Sequence, residues 1–226
     1  MKESLLRAAN LVVALAALIL LLPVMLIIAL LIKLDSPGAV IYRQRRIGYD
    51  RRTEIVHGIQ NGRRDTDLGG RPFTIYKFRT MREDAEHATG PVWASRADAR
   101  ATRVGKVLRR TRLDEIPQFW NVLMGDMSVV GPRPERPDFV LKLREEIEGY
   151  QIRHTVKPGI TGWAQVNRGP DRSTEDVREK IGYDLEYIRK RSLWMDLQII
   201  LKTLPVLLEG HEEPSDRSRG AAADVE

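Results

Sequence analysis

The sequence contains no cysteine among its 226 residues. That absence excludes disulfide bonds and thiolate metal sites, and with them disulfide-stabilised extracellular scaffolds and cysteine zinc fingers. Histidine is also scarce, and the four residues His57, His87, His154 and His211 show no paired ligand spacing.

Basic residues outnumber acidic ones, with 37 Lys and Arg against 31 Asp and Glu and a net charge of +6. This balance favours an anionic partner, such as a nucleic acid, a lipid surface or a phosphorylated substrate, without choosing among them. The length suits one globular domain with an anchor. We expect a membrane helix over residues 1–34, a domain over 35–209 and a small, polar, disordered tail over 210–226.

The anchor is predicted from an unbroken apolar run between Leu11 and Ile32. As a straight helix this run would be about 33 Å long, enough to span a bilayer and too long for the apolar part of a signal peptide. Pro23 lies at its centre, where it removes a backbone donor and predicts a kink or break. Basic residues flank both ends, so the positive-inside rule does not separate the two sides. A spanning helix and a re-entrant helix are both compatible with this pattern.

The rest of the chain predicts an α/β domain, mainly helical with a short sheet. Strands are expected at 39–47 and 73–80, and helices at 102–112, 115–124, 137–148 and 173–191. Alternation in the second strand puts Lys77 and Arg79 on one face, side by side. From Leu193 onward, leucines and isoleucines recur at steps of three and four beside Trp194. Such a stripe faces either a core or a membrane surface.

The region most informative about chemistry is the adjacent pair Asp114 and Glu115, preceded by several arginines and followed by the rigid turn 131–134. By itself an Asp-Glu pair among arginines is typical of a surface ion-pair cluster. Phosphoryl transfer, however, needs a nucleophile, cations for the phosphate oxygens and usually a divalent metal on oxygen ligands. The two carboxylates together with Lys77 and Arg79 could supply these.

Six segments, in the same order, make the chain resemble the bacterial sugar transferases, also called monotopic phosphoglycosyl transferases. They are KLDSPG at 33–38, RQRRIG at 43–48, KFRTM at 77–81, RLDEIPQFWNVLMGDMSVVGPRPE from Arg112, VKPGITGWAQVN at 156–167 and SLWMDLQIILKT at 192–203. The resemblance extends from about Leu11 to Leu208. It implies a small α/β domain on the cytoplasmic face of the bacterial inner membrane, held by a re-entrant helix broken at Pro23 and by interfacial amphipathic helices. Some members have Ser before that proline, where this chain has Leu22.

The resemblance also implies a reaction. A sugar 1-phosphate would pass from a UDP-sugar to undecaprenyl phosphate or another polyprenol phosphate, with release of UMP, as the first membrane step of exopolysaccharide, O-antigen or glycoconjugate assembly. Asp114 would be the nucleophile that forms a covalent phosphosugar intermediate. Glu115 would be a metal ligand or a base, and Mg²⁺, held by Asp114 and Glu115, would be the cofactor.

Further site residues follow from the same resemblance. Three cations are candidates for the diphosphate, namely Lys77, Arg79 and Arg109. Arg133, between Pro132 and Pro134, is the candidate for contacting the nucleotide. Nucleic acid is not expected as a partner, and homo-oligomerisation is left open.

Two other functions start from different features. Asp65-Thr66-Asp67 has the Asp-x-Asp form with which many glycosyltransferases hold a metal and a nucleotide sugar, and such an enzyme would release UDP. A membrane-tethered module that binds an anionic ligand would account for the charge and the anchor alone. That second alternative leaves the carboxylate pair beside a proline turn unexplained.

Overall fold

Helices make up most of the computed structural model, which describes residues 2–50, 68–83, 85, 99–169 and 174–209. The helices are α1 (Lys2–Asp35), α2 (Arg103–Thr111), α3 (Gln118–Met124), α4 (Pro137–Glu146), α5 (Trp163–Asn167), α6 (Thr174–Lys190) and α7 (Leu193–Glu209). The strands are β1 (Ile41–Ile47), β2 (Pro72–Phe78), β3 (Ser128–Val130) and β4 (Gly159–Thr161). The predicted mainly helical α/β fold with a short sheet is confirmed. The predicted tail, 210–226, lies outside the described residues.

Helix α1 is continuous through Pro23, which lies inside it. Helical hydrogen bonding is thus assigned through Pro23, and the membrane helix break predicted there stays a prediction. A proline removes one backbone donor, and a long helix can absorb that loss with a local bend while hydrogen bonding continues on both sides. By length and composition, α1 is the helix of the described residues that could cross a membrane. Its re-entrant course stays a prediction.

Both ends of α1 are attached to the globular domain. Near the start, Arg7 donates to the carbonyls of Val122 (2.6 Å) and Leu123 (2.9 Å) at the end of α3. At the other end, Asp35 accepts from the Val104 N–H at 3.0 Å. The buried positions of α1 form one helical stripe along that face, comprising Leu6, Asn10, Ala14, Ile28 and Ile32. The remaining faces expose apolar side chains along the whole run.

Strand β2, which carries Lys77, belongs to a two-stranded antiparallel sheet. Strand β1 pairs with β2 from Ile41↔Phe78 to Ile47↔Pro72. The other edge of β2 is satisfied by one side chain, because Asn121 of α3 donates to the Thr74 carbonyl (2.7 Å) and accepts from the Tyr76 N–H (3.1 Å). Asn121 is fully buried. It thus takes the place of a third strand and fixes α3 to β2.

Replacing Asn121 by Leu should lower the free energy of unfolding by about 2–5 kcal/mol, since it leaves two buried backbone groups of β2 without partners. The measurement is denaturant or thermal unfolding of the purified protein in a fixed lipid or detergent. Asn167→Ala is the control, because that amide is exposed and makes only exposed contacts among those of the described residues, with the Trp163 carbonyl and with Lys202. It should change stability by less than about 0.5 kcal/mol. Equal losses in both variants would contradict the role given to Asn121.

The two C-terminal helices were both predicted, and the burial of α7 shows which of its side chains face the core. Met195 and Ile199 of α7 are buried against β3 and α5 neighbours in the main core. Of the stripe predicted from the sequence, Leu193, Leu197 and Leu204 are exposed, whereas Ile200 is partly buried and packs against the core. Trp194 is 67% exposed beside these leucines. Of the two interpretations left open, packing of this stripe into the core is therefore excluded for these exposed residues.

Candidate active site

Asp114 and Glu115 lie in a 3-10 turn between α2 and α3. Helix α2 ends where Arg112 adopts a left-handed conformation, at φ 58°, the one non-glycine residue of the described chain with positive φ. Such a conformation is costly for a residue with a side chain and is found most often where function requires it. The turn it creates carries both carboxylates inward, and they are only 7% and 6% exposed.

Close packing of α2 against the segment that follows β2 sets the position of this turn. Gly105, in the first half of α2, lies so near the backbone of Thr80 that an added Cβ would overlap it. Glycine is thus required there for close approach rather than for a turn. At the start of α2, the Thr102 hydroxyl caps the helix by accepting from the Gly105 N–H at 3.0 Å. These two contacts hold α2 close to the end of β2, which therefore lies beside the two carboxylates.

Glu115 is the centre of the charge cluster. Its Oε1 accepts from Lys77 Nζ at 2.9 Å and from Arg133 Nη2 at 2.6 Å, and its Oε2 accepts from Arg133 Nη1 at 3.3 Å. Asp114 is less engaged, with Oδ2 3.9 Å from Lys77 Nζ. Lys77 therefore bridges the two carboxylates from β2. Arg133 reaches the same point from the loop after β3.

The pKa values of the two carboxyl groups shift in opposite directions. Burial raises the pKa of Asp114, the nearby Lys77 offsets part of that rise, and the charge of Glu115 adds to it. Burial also works to raise the pKa of Glu115, but the charges of Arg133 and Lys77 outweigh it and hold that pKa well below its usual range. Glu115 is thus firmly ionised, and Asp114 is the more basic member of the pair.

Arg112 is the third cation of the site. Its charge acts on both carboxylates, and burial lowers the pKa of its guanidinium while the charge of Glu115 raises it. The sequence marks Arg112 only as one of several arginines before the pair. Its special role follows from the left-handed turn, which local sequence does not announce. With Lys77 and Arg133, three cations thus act electrostatically on the two carboxylates.

A divalent cation would find few ligands here from the protein alone. No group of three or more His, Asp or Glu side chains converges among the described residues. Both oxygens of Glu115 are occupied by cationic donors, whereas the ion pair of Asp114 with Lys77 is longer, at 3.9 Å. Mg²⁺ is commonly bound by one or two carboxylates together with substrate phosphates and water. Asp114 fits that pattern better than Glu115.

The other residues predicted for the site separate into two groups. Pro132 and Pro134 flank Arg133 in the loop that reaches Glu115, and the predicted contact of this loop with the nucleotide stays a prediction. Arg79 does not contact the carboxylates: its Nη2 donates to the Ser36 carbonyl at 2.6 Å and the Ser36 hydroxyl at 2.9 Å, at the end of α1. It thus caps the end of α1, and its predicted role at the diphosphate stays a prediction. Strand β2 ends at Phe78, so the alternation that put Lys77 and Arg79 on one strand face does not extend to Arg79.

Arg109 lies on α2, where its carbonyl accepts from the Arg112 N–H at 3.4 Å. It helps to close the turn that holds the pair, and its role at a phosphate stays a prediction. Asp65 and Asp67, the basis of the alternative Asp-x-Asp enzyme, lie outside the described residues.

Comparison with known proteins gives a consistent result. The family model described as bacterial sugar transferase matches residues 1–210. The UDP-N-acetylgalactosamine-undecaprenyl-phosphate N-acetylgalactosaminephosphotransferase of Aeromonas hydrophila is 45% identical over 90% of this chain and 44% of its own length. The UDP-glucose:undecaprenyl-phosphate glucose-1-phosphate transferase of Escherichia coli (strain K12) is 45% identical over 88% of this chain and 39% of its own length.

A third relative is similar in length. The exopolysaccharide production protein PSS of Rhizobium leguminosarum bv. phaseoli is 39% identical over 88% of this chain and 92% of its own length. The chain thus spans less than half of the first two relatives and nearly all of the third.

Proposed function

The chain belongs to the bacterial sugar transferase family, a family of transferases, and from this premise we propose that it transfers a sugar 1-phosphate from a UDP-sugar to undecaprenyl phosphate. The relatives from Aeromonas hydrophila and Escherichia coli are named for reactions of this kind with different sugars. The name of the Rhizobium relative supports exopolysaccharide production as the setting. The observation that carries the proposal is the buried pair Asp114 and Glu115 held among three cations.

The first step is attack on phosphorus by Asp114. One carboxylate oxygen forms a bond to the sugar-linked phosphorus of the UDP-sugar, the bond from that phosphorus to the bridging oxygen breaks, and UMP leaves with the electron pair. The raised pKa of Asp114 makes it the better nucleophile of the pair. Lys77 and Arg133, already beside the carboxylates, would neutralise charge that develops on the phosphate oxygens.

The second step returns Asp114 to its starting state. An oxygen of the polyprenol phosphate attacks the phosphorus of the aspartyl phosphosugar, and the bond to Asp114 breaks. The products are polyprenyl-diphospho-sugar and the free carboxylate. Two substitutions at phosphorus thus replace one direct transfer.

Glu115 has a different role in this proposal. A carboxylate whose pKa is held well below its usual range is a weak proton acceptor. Its ion pairs with Lys77 and Arg133 instead keep both cations directed at one point. Of the two roles left open by the sequence, base and metal ligand, neither is favoured by these contacts. We propose that Glu115 orients the cations.

Mg²⁺ is the proposed cofactor, held by Asp114 together with phosphate oxygens of the substrate. When bound, it would neutralise charge on the diphosphate. The residues fit this use, since Asp114 is the carboxylate whose oxygens are not both taken by cations.

The experiment that tests the function is a panel of UDP-sugars incubated with undecaprenyl phosphate, Mg²⁺ and the purified protein in lipid. UMP should be released with at least one sugar, together with a lipid-linked diphosphosugar. Excess chelator should abolish turnover, and added Mg²⁺ should restore it. Release of UDP instead would favour the Asp-x-Asp glycosyltransferase. Binding of the lipid with no nucleotide released from any sugar would favour a non-enzymatic module.

The membrane arrangement is also a proposal, supported by the packing of α1. A helix that crosses the bilayer carries its two ends to opposite sides, yet Arg7 and Asp35, which bracket the apolar run, both bond to the same domain. The exposed apolar faces of α1, and of α7 around Trp194, would then lie in the lipid on one side of the domain. We propose that the domain rests on the cytoplasmic face of the inner membrane and that α1 is re-entrant.

Single cysteines at Ser4 and Arg45 should both be labelled by an impermeant thiol reagent from the cytoplasmic side only. Both positions are exposed, and the wild-type chain has no cysteine to give background. The measurement compares inside-out with right-side-out vesicles, with a cysteine in a known periplasmic protein as the control for vesicle orientation. Labelling of the two positions from opposite sides would mean that α1 spans the membrane.

A further inference from the structure

The loop that presents Arg133 cannot hold itself in place. Pro132 and Pro134 have no N–H, so the loop lacks the donors from which a hairpin or a helical turn is built. Instead, four consecutive carbonyls are bound by four separate donors. The Pro132 carbonyl accepts from the Gly159 N–H at 3.0 Å and the Glu135 carbonyl from the Ile47 N–H at 2.9 Å. Backbone pairing thus secures the two outer carbonyls.

The two inner carbonyls are held by arginine side chains. The Pro134 carbonyl accepts from Arg46 Nη1 at 3.0 Å, and the Arg133 carbonyl accepts from Arg153 Nη2 at 2.8 Å. Arg153 is the more deeply buried donor, at 2% exposure. Each of these four hydrogen bonds therefore comes from a distant part of the sequence.

Arg153 is itself fixed from behind. Its Nε and Nη2 lie 3.0 and 2.9 Å from Asp184 Oδ2 of α6, and its Nη1 donates to the Tyr150 hydroxyl at 3.1 Å. Asp184 is 2% exposed. A buried ion pair of this kind is weak evidence for stability, because the cost of desolvating both charges offsets their attraction. The ion pair instead fixes the orientation of the Arg153 guanidinium, whose planar shape places each N–H donor at a defined point.

We propose that Arg153, anchored by Asp184, is a positioning residue of the transfer reaction that acts through Arg133. A continuous chain of contacts runs from Asp184 to Arg153, to the Arg133 carbonyl, and through the Arg133 guanidinium to Glu115. Loosening the Arg133 carbonyl lets the guanidinium move away from Glu115. A displacement of about 1 Å in such a group is enough to slow an enzyme about 100-fold.

The first test measures thermal stability and does not depend on enzymatic activity. Arg153 and Glu115 do not touch each other in the chain of contacts, so their effects on thermal stability should be additive unless Arg133 couples them. The variants are Arg153→Lys, which keeps the charge but not the fork, Glu115→Gln, and the double variant. We expect the double variant to shift Tm by clearly less than the sum of the single shifts. Additive shifts would overturn the proposal.

Arg178→Lys is the matched control outside this chain of contacts. It makes the same substitution at an exposed arginine that donates to the Glu146 carbonyl at 3.0 Å. Its Tm shift should add to that of Glu115→Gln, and it should retain transfer within about twofold. If Arg178→Lys couples to Glu115 as strongly as Arg153→Lys does, general loosening of the domain is the cause, and the proposal fails.

The second test rests on the proposed function and measures UMP release. Arg153→Lys should lower kcat/KM about 10–100-fold in the wild-type background. In an Arg133→Ala background the same substitution should cost less than about twofold, because the residue through which it acts is gone. The same proportional loss in both backgrounds would overturn the proposal. A wild-type protein that releases no UMP would refute the proposed function, while the Tm cycle would still decide the coupling.

Discussion

Incubated with a UDP-sugar and no polyprenol phosphate, the protein should release about one equivalent of UMP and gain the mass of one phosphosugar. This result follows if Asp114 attacks phosphorus, because the covalent intermediate then forms before the second substrate binds. The adduct should map to the peptide that contains Asp114, and added polyprenol phosphate should convert it to product. Rapid-quench mass spectrometry measures the adduct, and UMP release measures the first step.

Asp114→Asn should abolish both the adduct and turnover, with a loss of about 10⁴-fold or more, because a neutral amide is a poor nucleophile. The amide keeps the shape of the side chain, so the fold should persist. Asp138→Asn is the control, since that carboxylate is exposed on α4 and 3.8 Å from Arg136. It should leave transfer unchanged.

One outcome would show that Asp114 binds the substrate or the metal without acting as a nucleophile. If the wild-type protein turns over rapidly, no adduct is detected, and kinetics require both substrates to bind before UMP leaves, the transfer is a direct displacement. Asp114 would then be needed for binding rather than for covalent chemistry.

Lys77→Met should lower kcat/KM about 100–1000-fold and move the acid limb of its pH profile to higher pH. The loss follows from removing a cation aimed at the reacting phosphate. The shift follows from electrostatics: Lys77 lowers the pKa of both Asp114 and Glu115, so its removal must raise them. Since Asp114 reacts as the carboxylate, a higher pKa means that activity is lost at a higher pH as the solution is acidified.

Lys77→Arg is the matched control for charge. It should leave the acid limb nearly in place while the rate falls, because a guanidinium keeps the charge but not the compact shape of the ammonium group. The position of the limb, read from kcat/KM between pH 4 and 8, is the deciding quantity. An acid limb unchanged in Lys77→Met would mean that a group other than the carboxylate pair controls it.

Much of the site was predictable from residues close together in sequence. The pair Asp114 and Glu115, with Arg133 between two prolines, is visible as a charge pattern beside a rigid turn. The helices on either side of the pair were also predictable, because their apolar spacing is local. The strand that carries Lys77 was predictable as well, because the alternation of its residues is also local.

The end of strand β2 was not predictable from local alternation. The pattern predicts a strand through residue 80, two residues beyond the observed end at Phe78, and it puts Arg79 beside Lys77. In the structure Arg79 instead donates to Ser36 at the end of α1. That contact joins residues 43 positions apart, and no local pattern encodes it.

By itself, the sequence determined the class of the fold, the apolar run of α1, the carboxylate pair and the excess of cations around it, because composition, periodicity and turn residues act over a few positions. Only the tertiary structure decided which cations meet the pair, that Asn121 completes the edge of β2, and that Asp184 and Arg153 hold the Arg133 loop. Burial is the physical reason. A charged or polar side chain removed from water must find its partner wherever folding brings one, and here the partner lies 20 to 47 residues away.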